Sequence, residues 1–354
     1  MNMITQADKG VKIDFAAKML EAYIEGDTPV MLWGAPGIGK SEVVAQTADN
    51  LGMALIDQRL TTLEPVDLRG LPHIRDGAAV WANPDILPNA KRDGERGILF
   101  LDEINGAPAS TQAACYQLIL NRRIGEYRLP DGWRIAAAGN RQSDRASAQR
   151  MPSALANRFA HIDVVPDVEA WANWAIGANI HPAMIAFLRF RPMLMHLMPG
   201  VTLDGKVTNG EVNISMPSDA RAFPTPRSWT DAAKYVDRDA EMRQPLIAGR
   251  VGVGPSVEFE GFIRTFLEVP AIRTILADPA GAKIPQGPGA LFAVSAALAR
   301  AATPVSFGPI LEYVKRIPKA YEVLTAVDAQ NRDKALTETQ AFVNWCGRNV
   351  EVFA

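Results

Sequence analysis

One stretch limits what this chain can fold into: Val30 to Ser41, reading V-M-L-W-G-A-P-G-I-G-K-S. The short apolar run Val30-Met31-Leu32-Trp33 has the composition of a buried parallel strand. It breaks at Gly34, and a helical pattern begins at Gly39-Lys40-Ser41. A G-x-x-x-x-G-K-S loop between a strand and a helix is a cradle for a phosphate chain. Its glycines let backbone N–H groups approach phosphate without a Cβ in the way. The helix that follows adds its positive N-terminal end. Lys40 can reach the β and γ phosphates, and the Ser41 hydroxyl can ligate Mg²⁺. The alternative is a glycine-rich strand-to-helix turn with a chance Lys-Ser.

The chain has 354 residues, enough for two or three domains. Hydrophobic residues make up 48% and charged residues 21%, as in ordinary globular proteins. A formal net charge of −2 gives no global basic field for nucleic acid, although a local basic groove would escape this measure. Cys115 and Cys346 form no C-x-x-C, so a reducing compartment is expected, with Cys115 as a small core residue. The sequence shows neither a signal-peptide pattern nor an apolar run long enough for a membrane span, and the expected location is the cytoplasm. His73, His161, His181 and His196 lack metal-ligand spacing and are assigned no role.

Periodicity predicts a helix over residues 11–25, ended by Gly26-Asp27, then the phosphate-loop strand and its helix. Ala54-Leu55-Ile56 reads as a strand. Residues 61–88 look like an insertion carrying a hairpin at Asp76-Gly77. Gly97 to Leu101 is a second continuous apolar strand, followed by a helix from Ser110, as N-cap, to Leu120. Ile124–Leu129 and Trp133–Ala138 read as extended pieces joined by Pro130-Asp131-Gly132, and His161–Val165 closes the series. Alternating strands and helices predict a three-layer αβα fold around a parallel sheet over residues 1–165. A helical lid over 166–270 and a helical extension over 271–354 are expected to follow. Residues 199–226, rich in Gly, Pro, Asn and Ser, read as a long exposed loop. Met193, Met195 and Met198 read as core filling in preference to a soft binding surface.

Asp102-Glu103 ends the second apolar strand and supplies what hydrolysis would need. Asp102 can hold the Mg²⁺ shell, and Glu103 can polarise a water for in-line attack on a γ-phosphate. Parallel strands open their C-terminal ends into one crevice, so Lys40, Asp102 and Asn140 should converge. Asn140 can bond the γ-phosphate or the attacking water, or simply form a turn. Arg158 is a candidate to neutralise transition-state charge in a neighbouring subunit, with a surface ion pair as its plain alternative and Arg145 and Arg150 as rivals. Arg227 opens a later helix and either reaches the nucleotide or decorates the surface.

G-A-P-G-I-G-K-S, L-F-L-D-E-I-N, A-A-A-G-N, L-A-N-R-F and T-P-R-S-W occur in that order and together resemble an AAA+ ATPase, with MoxR proteins of the helix-2-insert clade the nearest group. The resemblance implies ATP and Mg²⁺ as cofactors. It implies a nucleotide site of Gly34, Ala35, Pro36, Gly37, Ile38, Gly39, Lys40, Ser41 and Glu42, with Arg227 as sensor 2. Ser41 and Asp102 would serve the metal, and Glu103, Asn140 and Arg158 catalysis. D-L-R-G at 67–70 also fits, with 61–88 and 122–135 as the two inserts. Gly106 stands where the family usually has Arg, and Arg141 where Pro is common. The resemblance further implies a homo-oligomer, as a hexameric ring, acting as a chaperone-like remodeller with a von Willebrand factor A domain partner. Two rivals remain open. One is a nucleic-acid motor using Arg69, His73 and Arg75 as a basic ring, and the other is a nucleotide-gated scaffold with little turnover.

Overall fold

The computed structural model describes residues 10–141, 151–207 and 210–352, so Arg145 and Arg150 lie outside the described residues. Two compact units divide the chain after Pro166.

The N-terminal unit is built on a six-stranded sheet in the order β1-β10-β2-β9-β6-β3. Its strands are β1 (Val11–Lys12), β2 (Val30–Trp33), β3 (Ala54–Arg59), β6 (Gly97–Asp102), β9 (Trp133–Gly139) and β10 (Ala160–Val165). Every pairing is parallel. Side chains alternate between faces along a strand, which explains the unbroken apolar runs. Val30 and Leu32 join Ile98, Phe100, Ala136 and Ala138 in one core with α1 (Ile13–Glu25) and α2 (Lys40–Asn50). Met31 joins Leu99, Leu101, Ile135 and Ala137 in the other, where Cys115, Leu118 and Ile119 of α5 (Ala109–Asn121) also pack. The Cys115 thiol is fully buried, and burial pushes its pKa up to about 12.

The segment 61–88 stands outside the sheet, as its irregular pattern implied. It contains α3 (Pro65–Arg69) and the antiparallel pair β4 (Leu71–Arg75) and β5 (Ala78–Ala82). Asp76 and Gly77 turn it with φ of 53° and 77°, the positive pair that a two-residue hairpin uses. Leu71 and Ile74 are exposed, and Arg69 lies over the Trp81 ring at 4.6 Å. The short helices α4 (Ala90–Asp93) and α6 (Ser153–Ala156) complete this unit.

Four local expectations are corrected. Val11–Lys12 is not helix but β1, held by β10 through Val164 and Val165. The cap of α5 is Pro108, not Ser110, because the Pro108 carbonyl closes the first turn with Gln112 N–H. Ile124–Leu129 is not one extended piece: β7 (Arg123–Ile124) turns back to pair with β8 (Tyr127–Arg128), while Trp133–Gly139 enters the central sheet as β9. Finally, 199–226 is not a plain loop. It holds the hairpin β11 (Thr202–Val207) and β12 (Gly210–Ser215), whose Leu203–Ile214 pair packs on the helical core.

The C-terminal unit is otherwise helical, with α7 (Val168–Gly177), α8 (Pro182–Phe190), α9 (Pro226–Ala232), α10 (Ala240–Val251) and α11 (Val253–Glu268) in its first half. α12 (Ile272–Ala277), α13 (Pro288–Ala301), α14 (Phe307–Val314), α15 (Lys319–Arg332) and α16 (Gln340–Arg348) follow. One core gathers Phe187, Trp229, Phe259 and Phe262, with Met195 buried and Met193 packed against it. A second gathers Phe307, Tyr313, Phe342 and Trp345. Helix α13 serves both, giving Ala293 and Ala296 to the first and Val294 and Leu298 to the second. A buried ion pair ties three other helices: Arg189 of α8 binds Asp328 of α15 through both carboxylate oxygens and Glu169 of α7 at 2.9 Å. Asp328→Ala leaves that guanidinium one carboxylate short. We expect a loss of ~3–5 kcal/mol, read as a lower urea midpoint, and a loss under ~1 kcal/mol would instead mark the pair as one of surface strength.

Candidate nucleotide site

The strand order creates the site. β9 lies between β2 and β6, so the loops leaving their C-terminal ends meet around Asn140. After Trp33 the chain turns through Gly37 and Gly39, at φ 76° and 98°, a backbone only glycine adopts without strain. Gly39 caps α2 with no side-chain bond, so the first N–H groups of that helix face the loop unshielded. Ala35 and Ile38 are buried in the core beneath α1, Pro36 is half-buried, and Glu42 points outward. The loop is therefore anchored from below while its amides stay available.

Lys40 Nζ donates to Gly34 O at 2.6 Å, Ala35 O at 3.0 Å and Asn140 Oδ1 at 3.1 Å. The predicted convergence of Lys40 with Asn140 is thus a direct contact. Ser41 Oγ donates to Asp102 Oδ2 at 3.2 Å, and the other Asp102 oxygen accepts the Glu103 N–H at 2.8 Å. One hydroxyl and one carboxylate side by side fit Mg²⁺, which prefers few protein ligands together with phosphate oxygens and water. Among the described residues no three His, Cys, Asp or Glu side chains cluster as a site for a metal held by protein alone.

Glu103 adopts a left-handed conformation, φ 56° and ψ 33°, uncommon for a side chain other than glycine and frequent at functional positions. The turn swings its carboxylate away from the strand axis. There Thr61 Oγ1 donates to it at 2.8 Å, and Arg59 lies 4.0 Å away. Asp57, on the neighbouring β3, has its carboxyl pushed above the usual range, first by burial and then by the charge of Asp102.

Asn105 carries a task that its position in D-E-I-N did not reveal. It is buried, and it holds the sensor strand by its backbone: Nδ2 donates to Asn140 O at 2.7 Å, and Oδ1 accepts Asn140 N–H at 3.3 Å. A Cβ on Gly139 would lie 2.3 Å from that Oδ1, so the A-G-N sequence needs glycine there. Arg141, the departure after the sensor, donates to Asp163 at 2.8 Å and Val164 O at 3.0 Å, joining the end of β9 to β10.

Arg158 follows α6 in the same unit, exposed and without an ion pair among the described residues. Arg227 is the second residue of α9, exposed, in the other unit. Arg158 is not among the groups that meet around Asn140.

Sheet, loop and converging side chains together define a P-loop nucleotide-binding α/β domain. Residues 29–159 match the AAA domain of the dynein-related subfamily. The chain is 34% identical to protein NorQ of Paracoccus denitrificans over 107 residues, 30% of this chain and 38% of that protein. It is 29% identical to midasin of Giardia intestinalis over 144 residues, 38% of this chain but 3% of midasin. The chain thus spans well under half the length of either relative. It therefore carries a dynein-related AAA domain, an ATPase domain of the AAA+ class, which bears out the MoxR-like resemblance of its motifs. Among solved structures, a Thermotoga maritima RuvB mutant overlaps 76% of this chain and 77% of its own at 17% identity, with a TM-score of 0.41. NtrX from Brucella abortus with ADP overlaps 95% and 66% at 14% identity and a TM-score of 0.39. Both scores fall below what would define a common overall fold.

Replacing Asn105 with Ala removes both bonds to Asn140 and leaves two backbone groups unpaired. The expected cost is ~1–3 kcal/mol, measured by urea denaturation. A midpoint equal to that of the unaltered protein would show that Asn105 does not hold the strand.

Proposed function

We propose that the chain is a Mg²⁺-dependent ATP hydrolase that works as a homo-oligomeric ring and uses turnover to remodel or activate a protein partner. The observation that carries this reading is the meeting of Lys40, the Ser41–Asp102 pair and Asn140 at the ends of three adjacent strands, with Glu103 one residue beyond Asp102. In this reading the loop from Gly34 to Glu42 wraps the phosphates, and Lys40 pairs with the β and γ groups. Ser41 and Asp102 hold Mg²⁺, which when bound neutralises charge on the phosphates. Glu103 accepts the proton of the attacking water while Asn140 orients it. Thr61 and Arg59 hold the Glu103 carboxylate in place. Arg158, exposed and without an ion pair among the described residues, completes the site of the next subunit, a contribution worth about 10³–10⁵ in rate where arginines act this way. Arg227 serves the nucleotide from the lid over 166–270, and 271–354 serves as an extension for docking. A hexamer with a partner bearing a von Willebrand factor A domain follows from the MoxR resemblance. Among the described residues no helix is long and apolar enough to cross a membrane.

Glu103→Gln should bind ATP with near-normal affinity and lose turnover by about 10²–10⁴-fold, whereas Lys40→Ala should lose binding itself. Undiminished hydrolysis in Glu103→Gln would remove the base assigned to it. Stimulation by DNA that falls steeply with salt would replace the protein-remodelling reading with a nucleic-acid motor.

A further inference from the structure

His161, one of four histidines without metal spacing, joins the strand before the phosphate loop to the short helix before Arg158. Trp33 ends β2, and its indole Nε1 donates to His161 Nδ1 at 2.8 Å, the two rings stacked with centroids 6.0 Å apart. His161 Nε2 lies 2.8 Å from the carbonyl of Ala156, the last residue of α6. An indole nitrogen only donates and a carbonyl only accepts, so the two partners leave the imidazole one arrangement: Nδ1 accepts and Nε2 donates.

Between these anchors runs the segment Ala156 to His161. Arg158 N–H donates to Leu155 O at 2.9 Å, and Phe159 N–H donates to Ala156 O at 3.2 Å. Leu155 and Phe159 are buried on either side, and the Phe159 ring lies against His161 with centroids 6.4 Å apart. The Arg158 backbone is thereby closed into a small loop pinned at both ends, while its side chain stays exposed. The pinning bonds are at the surface, where a hydrogen bond adds little net stability. Their distinctive effect is therefore on direction.

We propose that His161, oriented by Trp33, is a positioning residue for Arg158 and sets its reach into the neighbouring subunit's nucleotide site. This rests on the reading of Arg158 given above. The contacts begin one residue from Gly34, whose carbonyl holds Lys40. Each subunit's phosphate loop and the arginine it offers the next are thus built on one set of bonds.

The test is a cycle of variants in the full chain, measuring kcat and KM for ATP. Arg158→Ala probes the underlying reading alone, and a wild-type kcat there overturns the role of Arg158 and this proposal with it. Given a loss in Arg158→Ala, His161→Phe should lower kcat about 10- to 100-fold and move KM by no more than about twofold. His161→Gln, which keeps one acceptor and one donor, should restore most of that loss. In the Arg158→Ala background His161→Phe should add nothing, because a residue acting through another has no separate effect. An unchanged kcat in His161→Phe, or a loss that persists in the Arg158→Ala background, overturns the positioning role while leaving Arg158 in place. Should His161→Phe fail to fold, Trp33→Phe, which removes the indole donor and leaves a smaller aromatic ring, takes its place in the same cycle.

Discussion

The meeting of Lys40, Ser41, Asp102 and Asn140 depends on one constraint, the position of β9 between β2 and β6. Adjacent strands lie about 4.8 Å apart, so the ends of β2 and β6 stand roughly two strand spacings from each other. Asn140 occupies the space between. A sheet with β2 next to β6 would bring the loop and the carboxylates together with no central amide. The order is maintained by packing on both faces, since Ala136 and Ala138 turn to one core and Ile135 and Ala137 to the other. Small residues along β9 let the layers close on a strand covered on both sides.

The end of that strand is clasped from two directions. Asn105 takes the backbone of Asn140 from the β6 side, and Arg141 reaches to Asp163 and Val164 on the β10 side. Glu103 bends out of the β6 line in a strained conformation only two residues before Asn105. Strain at one residue and a buried clasp at the next but one are complementary, because a residue in a sparsely populated conformation persists only where its surroundings over-determine it.

Much of this was legible in the sequence, and the reasons it was or was not are specific. Val30–Trp33 and Gly97–Leu101 announced themselves because a strand covered on both faces needs no polar alternation. The Asp76-Gly77 hairpin was legible because its turn demands two positive φ angles. β1 was not, since two residues at the head of a helical pattern carry no period of their own and gain their conformation from β10. The β11–β12 hairpin was masked by glycine and asparagine in its strands and proline around it, although its Leu203–Ile214 pair faces the core. The tasks of Asn105, Thr61 and His161 depend on which strands become neighbours. A single chain read in order does not contain that.

In the C-terminal unit, helix α13 has a core on each side of it, and the Arg189–Asp328 pair joins α8 to α15 by charge. Such an element is a shared wall. A fluctuation that opens one chamber withdraws support from the other, so the α-helices described in this unit are expected to unfold together, as one cooperative block in place of a graded series of local openings.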